Sequence, residues 1–125
     1  MPKILIVEDN EEHRDLLARH LQCRGFAIVT AADGKKGVAN AQSEKPDLVL
    51  MDLNLPELDG WEATRLVKAA EQTRDLPVIA MIADAMPGDR ERAFEVGCVQ
   101  YHIKPVDVAM LLVQIETLLK GRTIA

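Results

Sequence analysis

The sequence predicts a doubly wound α/β domain, a five-stranded parallel sheet with helices on both faces. Short runs rich in Val, Ile and Leu alternate with segments of helical spacing from one end of the chain to the other. Runs this short and uniformly apolar are what strands buried on both faces look like. Five β-α units in a row imply a parallel sheet, and right-handed crossovers leave few ways to connect it. A third observation concerns chemistry: three of the runs end in charge, at Glu8-Asp9, at Asp52 and at Lys104.

Taken in order, Ile4-Leu5-Ile6-Val7 supplies the first strand, over residues 4–7. Asp9 or Asn10 then suits the N-cap of a helix expected over 12–24, because a short polar side chain can accept from an unpaired N–H of the first turn. Gly25 falls where a helix end favours a left-handed residue, and the second strand follows over 26–30. Asp33-Gly34 is turn chemistry before a helix over 35–43, and Lys45-Pro46-Asp47 before a strand over 48–51. A third helix is expected over 60–71, a fourth strand over 78–82 and a fourth helix over 87–96, with Gly97 just beyond. The fifth strand is expected over 99–103. The last helix, over 106–120, is the clearest: Val108, Leu111, Leu112, Ile115, Leu118 and Leu119 keep the three-and-four spacing of one buried stripe. Gly121 is expected just past its end.

For five such units the flavodoxin-like strand order 2-1-3-4-5 is the natural choice. It sets the first and third strands side by side at the switch point, where open α/β sheets build their sites. Glu8-Asp9 and Asp52 end those two strands, so topology and charge pattern select one location independently. Crowded carboxylates repel unless a cation neutralises them, and hard oxygen ligands suit Mg²⁺. Lys104 then remains to pair with an anion. The pattern points to Mg²⁺-dependent phosphoryl transfer with Asp52 as acceptor.

Composition limits the other classes. The chain of 125 residues suits a single domain over 1–125. It is 48% hydrophobic and 3% aromatic, so aliphatic packing must dominate the core. A formal charge of −5 argues against a nucleic-acid or anionic-membrane surface. Met1-Pro2-Lys3-Ile4 runs directly into a strand, without the basic start and longer apolar region of a signal peptide, so a cytoplasmic location is expected. Cys23 and Cys98 lack metal-ligand spacing and read as ordinary thiols. His13, His20 and His102 are scattered and read as surface or packing residues.

These segments together resemble the receiver domain of two-component response regulators, of the chemotaxis-regulator-like kind, over essentially the whole chain. Ile6-Val7-Glu8-Asp9-Asn10 is similar to the family's metal-binding pair and its surroundings. The run from Leu50 through Asp52, Asn54 and Pro56 to Leu58-Asp59-Gly60 is similar to its phosphoacceptor strand and loop. Gly97-Cys98 with Tyr101-His102-Ile103-Lys104-Pro105 resembles its last active-site segment. Asn10, the Leu58-Asp59-Gly60 loop and Ala85-Met86-Pro87-Gly88-Asp89 look most like stand-alone receivers or those attached to hybrid kinases.

The resemblance implies that Asp52 takes a phosphoryl group from a histidine kinase or histidine phosphotransfer protein. It implies that Glu8, Asp9, Asp52 and the backbone carbonyl of Asn54 hold Mg²⁺. Lys104 and the backbone N–H groups of Asn54 and Ala83 would contact the phosphoryl group, and the Lys104-Pro105 bond would be cis. The chain would catalyse only its own phosphorylation and dephosphorylation, as a monomer or weak dimer. Its output would pass through the fourth helix, fifth strand and fifth helix to a downstream protein, without nucleic acid or membrane.

One position departs from the pattern. Receivers ordinarily end the fourth strand in Thr or Ser, whose hydroxyl bonds the phosphoryl group. Here Val78-Ile79-Ala80-Met81-Ile82-Ala83 puts Ile82 there, with no hydrogen to donate and a stiff branched side chain. Tyr101, the aromatic switch residue of the resemblance, is expected to stay outward. An alternative follows: a pseudo-receiver binding module whose output is uncoupled from phosphate. A haloacid-dehalogenase-type phosphatase is disfavoured because Asn54 stands where a second aspartate would be needed. A flavodoxin is disfavoured because no Ser/Thr/Gly-rich loop follows the first strand.

Overall fold

The computed structural model describes residues 1–124, with side chains described through residue 120. Its elements are β1 (Lys3–Val7), α1 (Glu11–Gln22), β2 (Ala27–Ala31), α2 (Gly34–Ser43), β3 (Leu48–Asp52), α3 (Gly60–Ala69), β4 (Val78–Ile82), α4 (Asp89–Glu95), β5 (Gln100–Ile103) and α5 (Val108–Ile124). All strand pairs are parallel, and the order across the sheet is β2-β1-β3-β4-β5. The flavodoxin-like doubly wound fold is therefore present.

Period-two alternation divides the core between the two faces of the sheet. Leu5, Val7, Val49, Met51, Val78, Ala80 and Ile82 pack with Trp61, Ala63 and Val67 of α3 and Ala93 of α4. Ile4, Ile6, Leu48, Leu50, Ile79 and Met81 pack with Leu17 and Leu21 of α1 and Leu111, Leu112 and Ile115 of α5. The final-helix stripe is buried as its spacing predicts: Val108, Leu118 and Leu119 flank that second cluster. Fully burying an aliphatic side chain stabilises by about 1.5–3 kcal/mol, so the fold rests on these two layers.

Asn10 caps α1, its side chain accepting from the His13 N–H. Asp33 and Asp59 do the same for α2 and α3. Gly25 and Gly97 take positive φ as expected of residues past helix ends. Gly121 does not end α5, which continues to Ile124. A glycine inside a helix only costs about 1 kcal/mol of propensity and does not oblige a stop. The fourth helix is shorter than its pattern suggested, because Gly88 is left-handed at φ 90 and α4 begins at Asp89. Trp61, in the first turn of α3, is buried, with the Arg92 guanidinium of α4 lying 4.1 Å from the centre of its ring. Cys23 is exposed and Cys98 buried, and both are free thiols. Among the described residues, no helix is long and apolar enough to cross a membrane.

Candidate metal and phosphoryl site

The register of the three central strands brings the site together. Val7 pairs with Met51, and Asp52 with Met81, so β1 and β3 end side by side and β4 ends one step further on. Glu8 and Asp52 are each only 1% exposed, whereas Asp9 is solvent-exposed. Oxygens of Glu8, Asp9 and Asp52 lie within 4.8 Å of one another, as ligands of one ion would. The donor set is all carboxylate oxygen, which fits a hard divalent cation.

Lys104 directly follows the end of β5, and its bond to Pro105 is cis. Its Nζ lies 2.6 Å from Glu8 Oε1 and 3.1 Å from Asp52 Oδ2. Two buried carboxylates thus share one ammonium. Burial pushes the Glu8 carboxyl up to about 7, with the neighbouring Asp52 acting in the same direction and Lys104 opposing it. The Lys104 ammonium is shifted upward: burial works against it, but the two carboxylates more than offset that.

The loop after β3 is held close. Asn54 N–H donates to Asp52 Oδ1 at 2.9 Å, fixing the rotation of the carboxylate. Gly60 lets α3 begin directly against the strand end. A Cβ there would lie 2.1 Å from the Asp52 carbonyl oxygen and 2.5 Å from Leu53 Cα. Glu57, in the same loop, takes a left-handed φ of 59, a conformation uncommon outside glycine. Ile82 is 2% exposed and belongs to the core cluster, with Tyr101 half-buried against that cluster. Tyr101 lines one groove with Gly88 and Glu91 at the start of α4, and its hydroxyl is pushed toward higher pKa by burial and by Asp89 and Glu91.

Glu8, Asp9, Asp52, Asn54, Ile82, Ala83 and Lys104 lie at this end of the sheet, and Tyr101 lies on the adjoining β5. Three contributions were not anticipated. The Asn54 side chain, expected to matter only through its backbone, accepts from Ala83 N–H at 2.7 Å. Arg14 Nη1 donates to the Glu8 carbonyl oxygen at 3.0 Å. His13, set aside as a scattered histidine, lies with Nδ1 3.9 Å from Glu8 Oε1. The signal for the last two was the Asn10 cap, which fixes where the first turn of α1 points. A groove of about 470 Å³ opens beside Glu8 and Lys104, and Leu16, Leu17, Pro105 and Val106 are among the residues that line it.

Against known proteins, the response regulator receiver domain profile matches residues 4–116. The chain belongs to the response regulator receiver domain family. It is 38% identical over 120 residues to the polar-differentiation response regulator DivK of Brucella anthropi, covering 95% of this chain and 98% of that one. The receiver domain of sensor histidine kinase PA1611 from Pseudomonas aeruginosa is 36% identical, with a TM-score of 0.87 over 95% of this chain and 98% of that one. That structure has a magnesium ion coordinated in its active-site cleft. Chemotaxis protein CheY4 of Vibrio cholerae is 28% identical at a TM-score of 0.87, covering 94% and 98% of the two chains. Receiver domains of response regulators interact with histidine kinases and downstream targets. In this receiver the acidic cluster is one that could hold a metal ion, and it is consistent with the family's phosphorylation site.

Proposed function

We propose that Asp52 accepts a phosphoryl group from a phosphohistidine of a sensor kinase or histidine phosphotransfer protein, with Mg²⁺ held by Glu8, Asp9, Asp52 and the Asn54 carbonyl. The observation that carries this is the shared ammonium: Lys104 Nζ contacts both Glu8 and Asp52 while Asp9 adds a third carboxylate. In the transfer, an Asp52 oxygen forms the new O–P bond as the N–P bond breaks, and the electron pair stays on the donor imidazole. When bound, the metal supplies charge neutralisation at the transferring oxygens. This chain's residues do the rest. Asn54 N–H holds Oδ1 so that the carboxylate presents a fixed face, and Lys104 and Ala83 N–H supply donors toward the phosphoryl oxygens.

The chain acts on itself only, as a cytoplasmic signalling module. Its output surface is α4-β5-α5, where Met86, Ile103, Met110 and Val113 are all more than half exposed. Met86, Ile103 and Met110 line one groove, and exposed apolar side chains gathered in this way suit contact with a downstream protein. A module uncoupled from phosphate is the poorer account, since all three acids and the lysine are in place.

The test is incubation with Mg²⁺ and acetyl phosphate, followed by mapping of the modified residue. A phosphate stable in mild acid and labile in base, on Asp52, is expected, and Asp52→Asn should abolish it while the fold survives. Equal yield on another residue would overturn the assignment.

A further inference from the structure

Asn54 makes two bonds with opposite directions. Its N–H donates to Asp52 Oδ1 at 2.9 Å, and its side-chain Oδ1 accepts from Ala83 N–H at 2.7 Å. The second bond spans 29 residues of sequence and ties the loop after β3 to the loop after β4. Ala83 directly follows Ile82, whose side chain offers no donor. A phosphoryl group on Asp52 brings three strong acceptor oxygens and most of two negative charges. The Ala83 N–H at the neighbouring strand end is engaged by Asn54 before any phosphoryl group arrives.

We propose that the Asn54 side chain is a latch, holding the Ala83 N–H until a phosphoryl oxygen on Asp52 displaces it and frees the β4-α4 loop from the β3-α3 loop. A charged oxygen is the stronger acceptor, so the exchange favours the modified state. It links charge on Asp52 to the start of α4 without any hydroxyl at residue 82. The inference rests on Asp52 being the phosphoacceptor. Asn54 is a positioning residue here, because it acts through the Ala83 amide.

Asn54 is exposed, so its replacement leaves the core untouched. Asn54→Leu keeps the branching at Cγ and removes the acceptor, and Asn54→Ala removes both. In the metal-free protein, the Ala83 amide should exchange faster with solvent in both variants and shift upfield. With Mg²⁺ present, titration with beryllofluoride should then show binding roughly two- to tenfold tighter in both variants than in the parent, the range for one neutral hydrogen bond no longer broken. Unchanged Ala83 exchange, or equal beryllofluoride affinity once that amide is released, overturns the latch and leaves Asp52 as acceptor standing. Tighter binding in Asn54→Ala alone also overturns it, since opened space would then be the cause. No beryllofluoride response in any of the three proteins overturns the phosphoacceptor reading and the latch with it.

Discussion

Lys104 is the residue on which the buried charge balance turns. Removing one partner of a buried ion pair leaves uncompensated charge and costs up to about 3–5 kcal/mol. Glu8 can limit that loss by taking up a proton, so Lys104→Met is expected to destabilise the metal-free protein by about 2–3 kcal/mol, towards or below the low end of that range. Urea unfolding checks this, and Glu8→Gln added to Lys104→Met should recover much of the loss. Glu8 sets the pH dependence. Its carboxyl is raised from 4.5 to about 7 in the fold, so between those values the folded state binds more protons than the unfolded one. Stability contributed by this group therefore falls as pH rises from about 4.5 to 7. The metal-free protein should show that decline in urea midpoints, and Glu8→Gln should flatten it. Ile82 is the third residue-scale case. Ile82→Thr should cost about 1–3 kcal/mol through lost packing and a buried hydroxyl. It should also enlarge the beryllofluoride-dependent NMR shifts around Tyr101 and α4, because a hydroxyl bonded to a charged group adds a difference between the two states. Equal responses in both proteins would show that the hydroxyl is not needed here.

Among the elements, the β3-α3 junction is the most constrained. The strand ends in Asp52 and the helix begins eight residues later at Gly60, packed on the Asp52 and Leu53 backbone. A methyl at Gly60 meets backbone rather than a flexible side-chain end, so β3 and α3 must separate. Gly60→Ala should destabilise by about 1–3 kcal/mol, as overpacked sites do, and should slow acetyl-phosphate labelling of Asp52 beyond what that loss explains. Normal labelling in a fully folded variant would mean that the junction tolerates movement. Element existence was legible in the chain, since all ten segments stand where the periodicity put them to within a few residues. Their ends were less so. The fourth helix starts two residues late because Gly88 turns left-handed, and the fifth runs through Gly121 because nothing in a glycine compels a stop.

At the scale of the whole molecule, the fold gathers buried like charge at one end of the sheet and relies on two apolar layers to hold it there. A ligand that binds only the folded state stabilises by about 2.7 kcal/mol at one hundred times its dissociation constant. Saturating Mg²⁺ should therefore raise the thermal midpoint by several degrees, and Asp9→Ala should remove most of that rise. Asp9 is the replacement to choose because it is exposed and carries no packing of its own. A midpoint indifferent to Mg²⁺ in the parent protein would count against the metal site.

The sequence alone determined the architecture and the place of the chemistry. Short, uniformly apolar runs and stripes of period three and four fix which elements exist. Five β-α units then leave few ways to join them, and charges at the ends of β1, β3 and β5 must meet once the strands are parallel. What only the tertiary structure decided are the relations between loops: Asn54 bonded to Ala83, Arg14 on the Glu8 carbonyl, His13 beside Glu8, Arg92 over Trp61. Each depends on how one connection is turned relative to another. That orientation follows from the packing of helices on the sheet, and no local pattern of residues encodes it.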